Sequence, residues 1–141
     1  MKYFLTALLL GLVLTTNAQE KSHVYSHNRA TIVTDPSKGE NPYPAWAVFP
    51  TKDTPIRKVL MHLTLGTPDS LSTAHWDYKD HVTVRRAGGQ AGQSLDLEIG
   101  RMLTPYGSIY STGWEFKWTV DVTDFALILR DSVEIEYNHT G

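Results

Sequence analysis

Residues 114–122 read WEFKWTVDV, and this run carries the clearest structural signal in the chain. Aromatic and branched apolar side chains occupy every second position, and charged or hydroxyl side chains occupy the positions between them. Because successive side chains of a strand point to opposite faces of a sheet, the pattern predicts a β-strand with one dry and one wet face. Such strands are typical of antiparallel sheets that are solvated on one side.

Similar patterns recur along the chain. They predict further strands over residues 23–34, 56–65, 81–86, 95–99 and 133–137, separated by turn-forming loops at 37–44, 66–74 and 87–93. We therefore predict an all-β fold, an antiparallel β-sandwich of jelly-roll type. Its main body spans residues 45–141, and a lead-in strand and loop span residues 19–44. The last strand runs almost to Gly141, so we expect either that it lies at a sheet edge or that the chain is a fragment.

The N-terminal residues are typical of an exported protein. Lys2 precedes an apolar run over residues 4–14, and small or polar residues follow as far as Ala18. This layout predicts a cleaved signal peptide over residues 1–18. The apolar run is shorter than the roughly 20 residues that a membrane-spanning helix needs. We expect the domain at 19–141 to be secreted, periplasmic or exposed at the cell surface, with no membrane partner.

Composition excludes several classes of function. The 141 residues include no cysteine, which removes disulfides, thiolate metal sites and cysteine nucleophiles. A formal net charge of −2 argues against a nucleic-acid partner, because nucleic-acid-binding domains are usually strongly basic. The motifs of phosphate-binding loops, serine hydrolases and zinc proteases are absent from the sequence.

The densest group of chemically active side chains lies between residues 69 and 81. It comprises Asp69, His75, Trp76, Asp77, Tyr78, Asp80 and His81. One interpretation is a general acid or base, such as Asp77, beside an aromatic wall. A second is a divalent-metal site, because histidine and aspartate are common ligands. A third is a solvated loop whose acidic residues cap turns. These residues alone leave the three interpretations open.

Four tryptophans are candidates for stacking on the apolar faces of sugars. Trp114 and Trp118 alternate with charged residues, which predicts that they belong to the core. Trp46 and Trp76 lie near predicted loops, so they are the better candidates for substrate binding.

Short motifs in a preserved order resemble the N-terminal domain of the peptide-N-glycosidase F family. They are RATIVTD at 29–35, VFP at 48–50, RKVLM at 57–61, WD at 76–77, EIGR at 98–101, TPY at 104–106, VDVTDF at 120–125 and VEIEY at 133–137. The resemblance implies an eight-stranded antiparallel jelly roll that packs beside a second one, with the active site near their interface. It also implies hydrolysis of the amide between asparagine and the first N-acetylglucosamine of an N-glycan, with no metal or other cofactor.

The resemblance assigns roles to individual residues. Asp77 matches the family's catalytic aspartate, which follows a tryptophan in the loop before a strand. Trp76 and Tyr78 flank it as substrate contacts, although Tyr78 stands where the family has arginine. His139 falls where the family has a second functional carboxylate. The family's cysteine pair is missing from the loop at 66–74, and the second jelly roll, which supplies another carboxylate, is absent from these residues.

Two functions therefore remain open. The first is the N-terminal domain of a secreted peptide-N-glycosidase F-like amidase that acts on N-glycans or glycoproteins, incomplete in this chain and completed by a second jelly-roll domain in cis. The alternative is a non-catalytic secreted β-sandwich module that binds glycans or a protein. A copper monooxygenase of similar architecture would need paired histidine ligands, a pattern that is not evident in the sequence.

Overall fold

The structure is a computed structural model that describes residues 20–67, 72–73, 76–87 and 93–141. The predicted signal peptide, Asp69 and His75 lie outside these residues. Within them the strands are β1 (Glu40–Val48), β2 (Leu60–Gly66), β3 (Lys79–Arg86), β4 (Leu95–Leu103), β5 (Glu115–Asp121) and β6 (Ser132–Thr140). Short 3-10 turns at Gly107–Ile109 and Thr123–Phe125 lie on either side of β5. This part of the chain contains no helix long and apolar enough to cross a membrane.

The strands form two antiparallel sheets. The larger sheet has the order β1-β6-β3-β4, and the smaller sheet pairs β2 with β5. The predicted all-β, antiparallel sandwich is therefore confirmed. The described residues provide six strands rather than the eight of a jelly roll, so the jelly-roll topology stays a prediction.

One apolar core lies between the two sheets. The larger sheet contributes side chains that are at most 5% exposed, among them Val82, Val84, Ile135 and Tyr137. Against them pack Met61, Leu63, Leu65, Phe116, Trp118 and Val120 of the smaller sheet. The sheets approach closely at Gly100 of β4, where an added Cβ would lie 2.6 Å from Met61 Cε and 3.1 Å from Trp118 Cη2. The dry faces predicted for residues 56–65, 81–86, 114–122 and 133–137 are thus confirmed.

The predicted lead-in strand at 23–34 is wrong. The first strand, β1, begins at Glu40, inside the predicted loop at 37–44. Pro42 and Pro44 suggested a loop, but β1 is an edge strand of its sheet, and an edge strand tolerates residues that lack an N–H donor. The two prolines therefore indicate an edge strand here rather than a loop between strands.

Residues 20–39 are attached to the sandwich without forming a strand. Val24 and Ile32 pack against the core. The Tyr43 hydroxyl of β1 accepts a hydrogen bond from the Val33 N–H at 2.7 Å and donates one to the Val33 carbonyl at 3.2 Å. His27 Nε2 lies 2.7 Å from the carbonyl oxygen of Tyr43. Hydrogen bonds between side chains and backbone groups, in both directions, therefore attach this segment to the sheet in place of a ladder.

The prediction that the last strand lies at a sheet edge is also wrong. β6 pairs with β1 on one side and with β3 on the other, so it is an interior strand. This position explains why its outward side chains Glu134 and Glu136 are half-buried and why Asn138 is only 5% exposed. The edges of this sheet are β1 and β4.

The fourth strand is longer than predicted, and its alternation changes phase. The register between β3 and β4 shifts after Val82, which pairs with Gly100, whereas Thr83 pairs with Glu98. Ile99 is the extra residue of this bulge and is buried. The alternation predicted for 95–99 therefore ends there, and β4 continues to Leu103 in the opposite phase.

Candidate functional site

The Trp76-Asp77 step leads into β3 at one end of the sandwich. Trp76 is 61% exposed, Asp77 is exposed and Tyr78 is half-buried. The Tyr78 N–H donates to Thr104 Oγ1 at 2.8 Å, and the Thr104 N–H donates back to the Tyr78 carbonyl at 2.8 Å. This double link, one bond to the Thr104 side chain and one between backbone groups, ties the residue that follows the step to the end of β4.

Aromatic side chains from the β4–β5 connection stand beside this step. The Trp76 ring meets the Tyr106 ring nearly at right angles, with 5.8 Å between centroids. Tyr110 and Trp114 of the same connection form a second ring contact at 5.1 Å. The first contact is edge-to-face and the second is tilted by 31°, and contacts between aromatic rings favour defined orientations. The exposed faces can therefore serve as rigid apolar platforms.

An open cavity of about 310 Å³ has Tyr110 in its lining, and most of the residues that line it carry hydroxyl groups. The lining comprises Thr67, Ser72, Thr73, Gly107, Ser108, Tyr110 and Thr112. The hydroxyl groups of Thr73 and Thr67 are hydrogen-bonded to each other, and Thr73 Oγ1 also accepts a hydrogen bond from Trp114 Nε1 at 2.8 Å. A hydroxyl group both donates and accepts, so such a lining suits a neutral ligand that is itself rich in hydroxyl groups. We call the surface formed by Trp76, Asp77, Tyr106 and this cavity the aromatic rim.

The carboxylate of Asp77 projects from the aromatic rim without cover. In the described part of the chain no hydrogen bond or ion pair reaches it, although its neighbour Trp76 is held against Tyr106. The aromatic wall expected beside Asp77 does not bury it, and the residue is exposed. Acid–base chemistry at Asp77 would therefore need a second surface to exclude water.

His139 lies inside the protein rather than on the aromatic rim. It is 5% exposed, its Nδ1 lies 2.9 Å from Asp80 Oδ1, and its Nε2 lies 2.9 Å from Thr34 Oγ1. The Tyr78 ring packs against it with 4.8 Å between centroids. Both ring nitrogens are engaged by protein groups, so the catalytic role predicted for His139 is not favoured by this geometry. The Tyr78 ring is therefore partly covered by its tilted contact with His139.

Asp80 is the centre of a buried polar network. The carboxylate is fully buried, accepts a hydrogen bond from the Tyr137 hydroxyl and faces His139, which continues the chain to Thr34. Burial, followed by the bond to Asp80, raises the pKa of the Tyr137 hydroxyl well above its ordinary value. Sequence reasoning placed Asp80 in a loop cluster and missed this network.

A sequence signal for the network existed. Asp80 has the same parity as Val82 and Val84, and His139 has the same parity as Ile135 and Tyr137. Extending the predicted strands by two residues would therefore have put both ionisable side chains on the dry face. On that face a charged group needs a partner, which the pairing of β3 with β6 supplies.

Trp46 does not belong to the aromatic rim. Trp46 pairs with Glu134, which pairs with Arg85 near the end of β3, whereas Trp76 precedes the start of that strand. At about 3.3 Å per residue, Lys79 and Arg85 are roughly 20 Å apart. The structure thus assigns the two candidate platforms to opposite ends of the sandwich.

The described residues contain no cluster of side chains that could act as the divalent-metal site considered in the sequence analysis. Within the described residues no three histidine, aspartate or glutamate side chains are placed to hold a metal ion. His75, which that interpretation used, lies outside them.

These features define an antiparallel β-sandwich domain with an aromatic, hydroxyl-rich rim. Comparison of the chain with protein-family models, with curated proteins and with solved structures finds no match. The resemblance to the peptide-N-glycosidase F family therefore depends on the sequence motifs alone.

Proposed function

We propose that this chain contacts N-glycans through its aromatic rim, as the N-terminal domain of a secreted amidase of the peptide-N-glycosidase F type. One observation carries the proposal. The exposed Trp76 ring contacts Tyr106, and Tyr106 is followed directly by Gly107 and Ser108 of a cavity lined by hydroxyl groups. Connected segments therefore contribute an apolar face, the carboxylate that follows it in the chain and neutral hydrogen-bonding groups, which is the combination that a sugar next to an amide requires.

The chemistry assigns different work to the parts of the aromatic rim. Amide hydrolysis needs an activated water and a proton for the leaving nitrogen, and Asp77 can accept or deliver one proton. Trp76 stacks on the apolar face of the first N-acetylglucosamine. A second domain packed over the rim would supply a further carboxylate, cover Asp77 and exclude bulk water. The exposure of the rim supports this arrangement, because a surface that receives another domain is accessible when that domain is not present.

The second candidate is a secreted module that binds glycans without hydrolysing them. Two observations favour it: Asp77 is uncovered, and His139, at the position where the resemblance implies a carboxylate, is buried. In that case the rim needs only its aromatic and hydroxyl groups, and Asp77 is dispensable.

Glycan binding and glycan release, measured on the same variants, test the proposal. The purified chain is titrated with a free N-glycan that carries the chitobiose core, and glycan release from a denatured glycoprotein is followed in parallel. We expect Trp76→Ala to weaken binding by about tenfold, or about 1.4 kcal/mol, while the distant Trp46→Ala leaves it unchanged. If no titration shows glycan binding, both candidates are refuted.

Asp77→Asn separates the two candidates. If the unsubstituted chain releases glycan and this variant does not, the amidase is supported, because the amide side chain keeps the size of aspartate but cannot transfer the proton. If binding survives in the variant and neither protein releases glycan, the binding module is supported. Glycan release that survives the substitution removes Asp77 from its proposed role.

A further inference from the structure

We propose that the end of the sandwich opposite the aromatic rim carries a second ligand site, which takes an anionic sugar, a pyranose ring that bears a carboxylate. This site is independent of the N-glycan function. It is a cavity of about 270 Å³ whose lining includes Trp46, Arg85, Arg86, Ile128, Arg130 and Glu134. Its volume lies just below the range of about 300–1,000 Å³ of typical small-molecule sites, so it suits one sugar ring. We call it the arginine cavity.

Two of the three arginines that line the arginine cavity form no ion pair within the described residues. Of the charged residues that line it, three are arginines and one is a glutamate. Arg85 is engaged by acidic side chains, since its Nη1 donates to Glu136 at 2.9 Å. Its Nε lies 3.6 Å from Asp96 Oδ1 and 3.9 Å from Glu134 Oε2. Arg86 is exposed and has no ion pair within the described residues. Arg86 and Arg130 are therefore the two guanidinium groups of the cavity that have no carboxylate partner within the described residues and can receive an anion.

Arg130 is held in place before any ligand arrives. Its Nε donates to the Ala126 carbonyl at 2.8 Å, and its Nη1 donates to the carbonyls of Thr54 at 2.6 Å and Thr51 at 3.2 Å. Bonds to carbonyl groups orient a guanidinium but do not neutralise it. These bonds use the Nε hydrogen and both Nη1 hydrogens, so the two Nη2 hydrogens remain to donate to a carboxylate. A fixed guanidinium loses little entropy when it binds such a group.

Trp46 supplies an apolar face to the same cavity. It lies on the outward face of the edge strand β1 and is 65% exposed, although burial of a tryptophan would be favourable. A pyranose ring has apolar faces of C–H groups that can cover this indole, and hydroxyl groups that can reach Glu134. A carboxylate on that ring would meet Arg86 and Arg130, so the cavity favours an acidic sugar over a neutral one.

A pair of matched sugars tests the arginine cavity on the full chain. Methyl glucuronide and methyl glucoside differ in the carboxylate, and the Trp46 indole resonance reports binding in an NMR titration. We expect saturable binding of the glucuronide that is about tenfold tighter than binding of the glucoside. Because exposed charges are screened by salt, we also expect the preference to shrink in 0.5 M sodium chloride. Equal affinity for the two sugars, or no saturation by either, overturns the proposal.

Single substitutions locate the binding. Arg86→Gln is expected to weaken glucuronide binding by about fivefold, and Trp46→Ala is expected to remove it. Arg57→Gln, which changes an exposed arginine outside the arginine cavity, serves as the matched control and leaves binding unchanged. Trp76→Ala also leaves it unchanged, which separates this site from the aromatic rim. An Arg86→Gln variant that binds like the unsubstituted chain overturns the proposal.

Discussion

The buried hydrogen bond from the Tyr137 hydroxyl to Asp80 predicts that the free energy of unfolding falls at alkaline pH. Tyr137 is 5% exposed, and burial raises the pKa of its hydroxyl above the ordinary value of 10.0. The folded protein therefore keeps the proton at a pH where the unfolded chain releases it. The contribution of this group to stability is fully present below pH 10.0 and is lost as the pH rises above that value.

The size of the effect follows from one proton. While Tyr137 stays protonated in the fold, the unfolded state gains about 1.4 kcal/mol for each pH unit above the ordinary tyrosine pKa. At pH ~11 the free energy of unfolding should therefore be about 1.4 kcal/mol lower from this residue alone than at pH ~8. The other tyrosines and the lysines also titrate there, so a matched variant is needed.

Tyr137→Phe provides that comparison, with guanidinium denaturation at both pH values as the measurement. At pH ~8 the variant should be less stable by about 1–3 kcal/mol, because Asp80 keeps its burial and loses one hydrogen bond. At pH ~11 the difference between the two proteins should narrow by about 1.4 kcal/mol. If the two free energies fall in parallel, Tyr137 is ionised as easily in the fold as in the unfolded chain and the reasoning fails.

Two further predictions concern the core. Trp118→Ala should lower the free energy of unfolding by about 3 kcal/mol, because the ring packs between the sheets, whereas Trp46→Ala at an exposed position should change it by less than about 0.5 kcal/mol. Equal losses in denaturant titrations would show that Trp118 does not fill the core. Gly100→Ala should cost about 1–3 kcal/mol, because the new Cβ meets Met61 and the Trp118 ring. A neutral result in thermal unfolding would mean that the sheets separate without cost.

The strands that were predicted correctly are those whose side-chain alternation is visible within the segment itself. Alternation in residues 114–122 needs no knowledge of the partner strand, because the dry face is a property of the segment itself. The place of β6 between β1 and β3 is different, since strand order depends on pairing between distant residues. The start of β1 failed for a similar reason: Pro42 is excluded from an interior strand and tolerated at an edge, and sequence does not say which strand is the edge.

The candidate site divides in the same way. The position of Asp77 just before β3 follows from the local sequence pattern, and so does the presence of the apolar Trp76 next to it in the chain. The contact of Trp76 with Tyr106 does not, because it joins two connections that are adjacent only in the folded sheet. The buried pair of Asp80 and His139 could have been found from strand parity, whereas Thr34 belongs to a segment without regular structure.

The interior position of β6 also determines when this protein can fold. The ladder that joins Glu40 to Thr140 closes a very long loop, and such distant contacts make folding slow. During synthesis, residues 40–103 are made before β6, so β1 and β3 at first lack the strand that lies between them in the sheet. The larger sheet is therefore complete only after β6, which comes last among its four strands, has been synthesised.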